Sequence, residues 1–192
     1  MKIDSISNAL YVGNFKLRSP DDKSRNLIKI EWVVSADIKK NIESRVYIFT
    51  SNDEIMKIGG SGDKSGLVGT LGFYANGLTG NPGIRAFVCH HLIHRELVKG
   101  NQVKAYAIFT PGIEHEVVTL NGSKKTKIYS FFREIENACI EEYMNMEKSG
   151  VQPPWNFQEG KKGYPKDLQL EYNKLKNTKS SINKITSKVE NK

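Results

Sequence analysis

Two stretches of the chain carry apolar residues at helical spacing. Over residues 84–98, Ile84, Phe87, Val88 and Leu92 return to one side every 3.6 residues, and Lys99-Gly100-Asn101 ends the run. Over residues 130–147, Phe131, Ile135, Ala138, Cys139 and Tyr143 do the same. Strand patterns, rich in β-branched and aromatic residues, cover 27–34, 45–50, 54–59, 103–109 and 116–120. Ser51-Asn52-Asp53 is turn chemistry and makes the second and third of these a hairpin, while Pro111-Gly112 separates the last two. Residues 59–83 are glycine-rich around a short helix at 67–74 and break at Asn81-Pro82-Gly83. Residues 1–25 are mixed and polar, and 35–43 form a polar connection or helical turn. Residues 149–165 are irregular and 166–176 form a terminal helix, while the Lys/Ser/Asn-rich stretch 177–192 is expected to be disordered. No repeat is present. Two central helices and four or five strands predict an α+β fold with a small, mostly antiparallel central sheet flanked by helices.

Composition narrows the functional classes. The 192 residues can bury one substantial core, and no apolar run reaches the ~20 residues of a membrane span. Mean hydropathy is −0.49. The N-terminus, Met1-Lys2-Ile3-Asp4, lacks an apolar signal core, so a cytoplasmic protein is expected. Cys89 and Cys139 are too few for a disulfide framework and read as small buried hydrophobes. Net charge is +8, and residues 161–192 hold nine lysines against three acids, leaving only +2 for the other 160 residues. A basic chain favours a polyanionic partner.

Candidate chemistry begins with exclusions. Gly59-Gly60-Ser61-Gly62-Asp63-Lys64-Ser65 fails the phosphate-loop pattern, because Asp63 separates Gly62 from Lys64 and its carboxylate repels phosphate. His90 and His94 stand at i,i+4, but no third metal ligand follows, so helix packing is the simpler role. The hairpin is more informative. Val46-Tyr47-Ile48 is followed ten residues after the tyrosine by Lys57-Ile58-Gly59. Glu136 stands beside the apolar stripe of the second helix, where it can offer a carboxylate to the sheet. Pro153-Pro154-Trp155-Asn156-Phe157 is stiff and aromatic; Trp155 plugs the core and Asn156 can orient another group.

In their order and spacing these pieces resemble the GIY-YIG nuclease superfamily. Val46-Tyr47-Ile48 looks like its first motif. Lys57-Ile58-Gly59 looks like its second, in the variant of the compact type II restriction endonucleases that carries lysine for tyrosine. Glu136-Asn137 is similar to the metal-binding helix, and Pro153-Pro154-Trp155-Asn156 to a late segment of phage members. The resemblance implies a nuclease domain at 44–158, an N-terminal extension at 1–43 and a basic, partly disordered C-terminal segment at 159–192. It implies a metal-dependent endonuclease, a restriction enzyme acting on double-stranded DNA as a homodimer. Tyr47 would be general base and Lys57 its activator; Glu136 would hold Mg²⁺ or Mn²⁺, Asn156 would complete the site and Gly59 would be structural. The family arginine, about ten residues after the second motif, is missing: Gly69 and Thr70 stand near its place. Arg85, in the first turn of its helix, is the candidate substitute and Lys64 its rival. Lys64, Lys124, Lys125, Lys127, Lys161 and Lys162 are candidate DNA-backbone contacts. The alternatives are a non-catalytic DNA-binding module of the same fold and a structure-specific or RNA nuclease. Parity decides whether Tyr47 and Lys57 cooperate, since only an odd-length connection centred on Asn52 sets them opposite each other.

Overall fold

The computed structural model describes residues 1–6, 8–147, 150–157 and 163–189. Strands β1 (Leu10–Leu17), β2 (Ile28–Trp32), β3 (Ser44–Ser51), β4 (Glu54–Ser61) and β5 (Val103–Thr110) form one sheet in the order β2-β1-β5-β3-β4. Every pairing in it is antiparallel. Strands β6 (Ile113–Val118) and β7 (Lys124–Tyr129) pair only with each other. The helices are α1 (Ala36–Lys40), α2 (Gly66–Ala75), α3 (Ile84–Val98), α4 (Phe132–Met146) and α5 (Lys166–Val189). The protein is α+β with a central antiparallel sheet flanked by helices, as the hydrophobic pattern predicts.

Strand β3 is buried on both faces of the sheet. Tyr47 and Phe49 enter the core formed with Leu67, Leu71 and Tyr74 of α2 and Ile93 of α3. Val46 and Ile48 enter a second core with Ile58 of β4 and Ile140 and Tyr143 of α4. Each buried apolar side chain of this size stabilises by about 1.5–3 kcal/mol, so the alternation of β3 fixes which helix lies on which face. On the far side of α3, Leu168 of α5 packs against Phe87 and Val88.

Three expectations are corrected. Residues 10–17 are a strand, although Gly13 and Asn14 break its alternation. Gly13 lies so close to β2 that a Cβ there would meet the Glu31 carbonyl at 2.6 Å. The ribbon starts earlier than residue 116, and residues 124–129 form a lysine-rich strand with no apolar alternation behind the Asn121-Gly122 turn, where Gly122 has φ +78°. Residues 177–189, expected to be disordered, continue α5. Once Leu168 anchors the helix, propagation costs far less than nucleation. The segment read as an N-terminal extension supplies two of the five strands of the main sheet.

The β3–β4 hairpin meets the parity condition by an unexpected route. Its turn has two residues, Asn52 and Asp53, at φ +46° and +67°, as a tight hairpin turn requires. Alone that turn would pair Tyr47 with Ile58 and send Lys57 to the opposite face. A bulge at Met56 shifts the register, so that Phe49 pairs with Lys57 and Tyr47 with Gly59. Tyr47 and Lys57 therefore share a face, on neighbouring rungs rather than directly opposite.

Candidate active site

The chemistry gathers at β4, the edge strand of the main sheet. A cleft there is lined by Tyr47, Lys57, Arg85, Glu136 and Asn156, with Gln152 and Phe157 closing one side. Tyr47 and Lys57 reach it from one face of the sheet, Glu136 from the other, and Arg85 from the start of α3.

Two consecutive glycines make this convergence possible. The Tyr47 ring lies directly over Gly59; a Cβ at that position would overlap the phenol oxygen and come within 2.9 Å of Cε2. On the opposite face, a Cβ at Gly60 would lie 2.5 Å from the Glu136 carboxylate and 2.5 Å from the Phe132 ring. Both approaches require a strand bare of side chains at its edge. The glycines act here through close approach, since neither needs a positive φ.

The late aromatic segment holds the edge itself. The Trp155 N–H donates to the Met56 carbonyl at 2.7 Å, at the bulge. The Asn156 side chain then behaves as a short piece of strand: its Oδ1 accepts from the Ile58 N–H at 3.1 Å and its Nδ2 donates to the Ile58 carbonyl at 2.9 Å. Trp155 is buried in the core, as expected. Asn156 lines the cleft, but both ends of its amide are engaged by β4, so it shapes the site rather than presenting a reactive group.

The tyrosine is not poised as a phenolate. Tyr47 is almost fully buried, and burial pushes its pKa up, opposed by the hydrogen bond to the Tyr74 hydroxyl and by the charge of Arg85. The two hydroxyls are in direct hydrogen bond. Burial likewise holds Tyr74 well above the ordinary value. The Lys57 ammonium stands over the Tyr74 ring, 5.9 Å from the centroid, and the charge of Arg85 eases deprotonation of Tyr47. Tyr74, seventeen residues beyond Lys57, has no motif signal in the sequence, and only the packing of α2 against β3 brings it here.

The place of the expected arginine is occupied differently. Thr70 is buried and accepts a hydrogen bond from the Arg45 guanidinium at 3.3 Å. Arg45 also donates to the carbonyls of Glu43 and Asp63, both at 2.8 Å, and is wholly enclosed. It fastens the loop before α2. Arg85 is half-buried, with its guanidinium 5.2 Å from the Phe73 ring centroid, and it borders the cleft. Lys64 is exposed on the loop before α2 and does not line it.

Among the described residues no group of three or more His, Cys, Asp or Glu side chains can hold a metal. A Mg²⁺-type ion does not need one: it is commonly held by one or two carboxylates, with waters and substrate phosphates completing its shell. Glu136 at the cleft fits that pattern. His90 serves packing. His90 Nε2 accepts from the Leu27 N–H at 3.1 Å, which leaves Nδ1 to donate to the Tyr74 carbonyl at 2.9 Å.

No family model matches the chain, and no curated protein matches it. Two solved structures are similar to it. A mutant of bacteriophage T4 EndoII is 18% identical, covering 82% of this chain and 99% of its own, with a TM-score of 0.49. Restriction endonuclease HPY188I in complex with product DNA is 19% identical, covering 82% of this chain and 87% of its own, with a TM-score of 0.48.

Of the remaining candidates, Lys124, Lys125 and Lys127 lie on the exposed ribbon and do not line the cleft, and Lys124 pairs with Glu116 at 2.8 Å. Lys161 and Lys162 lie outside the described residues. Among the described residues no helix is long and apolar enough to cross a membrane.

Proposed function

We propose that this chain is a metal-dependent DNA endonuclease of the GIY-YIG type, cutting as a restriction enzyme. The observation that carries the reading is the convergence of Tyr47, Lys57, Arg85 and Glu136 on one cleft, around an edge that Gly59 and Gly60 leave bare. Tyr47, Lys57 and Glu136 were singled out by motif, and Arg85 as the substitute for the missing family arginine.

Glu136 would hold Mg²⁺ or Mn²⁺, which when bound stabilises negative charge on the scissile phosphate and the leaving oxygen. Arg85 clamps a non-bridging phosphate oxygen with its guanidinium fork. Lys57 supplies a second positive charge deep in the site. Tyr47 Oη aligns the attacking water. It takes the water's proton only from its ionised form, which is scarce at neutral pH and depends on Arg85. Asn156 and Trp155 keep β4 in the register that puts these groups together. Cutting both strands of a symmetric site calls for two copies related by a two-fold axis.

One observation favours a second reading, a DNA-binding module that no longer cuts: the arginine bonded to Thr70 is sealed inside the fold and cannot reach a phosphate. Incubation of purified protein with Mg²⁺ and unmethylated phage DNA separates the two. Discrete fragments support restriction, a smear supports a nuclease without sequence preference, and a gel shift with no cutting supports the binding module.

A further inference from the structure

The β6–β7 ribbon stands away from the body of the protein. Its two six-residue strands pair over their whole length, and every residue except Val117 is exposed. Neither the helices nor the main sheet pack extensively on it. Residues directly opposite each other in such a pair project to the same face, and the faces alternate.

That alternation sorts the charges. One face carries Ile113, His115 and Val117 opposite Tyr129, Lys127 and Lys125, with two lysines and no acid. The other carries Glu114, Glu116 and Val118 opposite Ile128, Thr126 and Lys124, holding both acids of the ribbon, with Lys124 tied to Glu116. The root of the ribbon is joined to the cleft. Three residues after the end of β7, Phe132 begins α4 and lies against Gly60, with Glu136 one turn further on. The hydroxyl of Ser130, between them, is hydrogen-bonded to that of Ser44 at the start of β3.

We propose that the acid-free face of this ribbon enters the major groove of duplex DNA beside the cleft. This rests on the reading of the chain as a DNA endonuclease. The major groove, about 12 Å wide, admits a two-stranded ribbon, and a six-residue strand is roughly 20 Å long. Lys125 and Lys127 meet phosphates at the groove walls, while Tyr129 and His115 are turned toward base edges. The opposite face, with its two carboxylates, is turned away from the phosphates. The ribbon thereby contributes contacts to sequence, which the cleft, built for a phosphodiester, does not.

The test measures binding of the full chain to a short mixed-sequence duplex without divalent metal, as a function of salt. The chains compared are the parent, the double variant Lys125→Ala/Lys127→Ala, and Lys124→Ala. Loss of two phosphate contacts lowers the slope of log K against log salt by about two units, and Lys124→Ala leaves it nearly unchanged. A duplex whose cytosines carry bulky groups at C5, which fill the major groove, binds the parent more weakly. An unchanged slope in the double variant, an equal loss in Lys124→Ala, or indifference to the C5 groups overturns the proposal. So does an unchanged slope accompanied by a lower sedimenting mass, which would make the ribbon a contact between copies. If the parent still cuts DNA in Mg²⁺ while any of these holds, the ribbon assignment fails alone; if the parent binds no duplex, the nuclease reading falls with it.

Discussion

Arg85 and Lys57 both line the cleft. Lys57 is buried against the Tyr74 ring, while the charge of Arg85 opposes the upward pull of burial on Tyr47. Lysine in place of Arg85 keeps the charge and loses the fork. We therefore expect Arg85→Ala to slow DNA cleavage about a hundredfold. Arg85→Lys should fall clearly below the parent, and Lys64→Ala should cut at close to the parent rate; single-turnover cleavage rates check the series. His90 allows a different residue-scale prediction. Burial lowers its pKa to about 4, against about 6.5 in an unfolded chain. The folded state thus binds fewer protons. The contribution is complete above pH 6.5 and is lost as pH falls toward 4, up to about 3 kcal/mol, with His91 and His94 acting in the same direction. Urea denaturation across that range should show the loss, and His90→Leu should flatten the curve while lowering stability throughout, because the Leu27 N–H and the Tyr74 carbonyl lose their partner. Tyr47, Lys57 and Glu136 were legible in the sequence because each belongs to a short motif with fixed spacing. Tyr74 and Arg45 were not, because their roles come from packing between distant segments.

At the scale of elements, the decisive feature is how β4 is kept in register. The two-residue turn would separate Tyr47 from Lys57, and the bulge at Met56 brings them back to one face. The Trp155 N–H bonds the Met56 carbonyl, and Asn156 takes both polar groups of the Ile58 peptide. Asn156→Ala leaves those two buried groups without partners, at about 1–3 kcal/mol each. The melting temperature should drop by at least several degrees, and cleavage should fall with it as the edge loosens. Asn156→Asp should not rescue either property, since a carboxylate cannot donate to the Ile58 carbonyl. A variant melting at the parent temperature would show that the clamp is dispensable. The hairpin β3–β4 and helices α3 and α4 were readable from periodicity and turn chemistry. Strand β1 was not, because Gly13 serves a close approach to β2 rather than a local preference. Strand β7 was not, because a ribbon exposed on both faces shows no apolar alternation. The Asn121-Gly122 turn was the available signal for it.

Over the whole molecule, the net positive charge is concentrated in the last part of the chain. The cleft lies at the edge of the central sheet, whereas much of the net positive charge lies beyond residue 160. Leu168, Tyr172 and Leu175 of α5 pack against α3, so a chain ending at residue 178 should keep its fold. That truncation removes Lys179, Lys184, Lys188 and Lys192. If all four lysines meet phosphates, the salt dependence of DNA binding should weaken by up to about four units of slope, with the cutting pattern unchanged. An unchanged slope would mark the end of the chain as solvated, and a changed pattern would contradict a role confined to the DNA backbone. The length of α5 was only half legible. Leu168, Leu175, Ile182 and Val189 recur every seven residues, but the Lys/Ser/Asn composition between them reads as disorder.

The central claim is that Glu136 and the cleft around it cut DNA, and one comparison tests it most directly. Supercoiled, unmethylated plasmid is incubated in Mg²⁺ with the parent and with Glu136→Ala, and binding to the same DNA is measured alongside. The account predicts that the parent converts the plasmid to nicked and linear forms. Glu136→Ala should leave it supercoiled while binding it at least as tightly, because a negative charge facing phosphate has been removed. Cleavage by Glu136→Ala at the parent rate would contradict it.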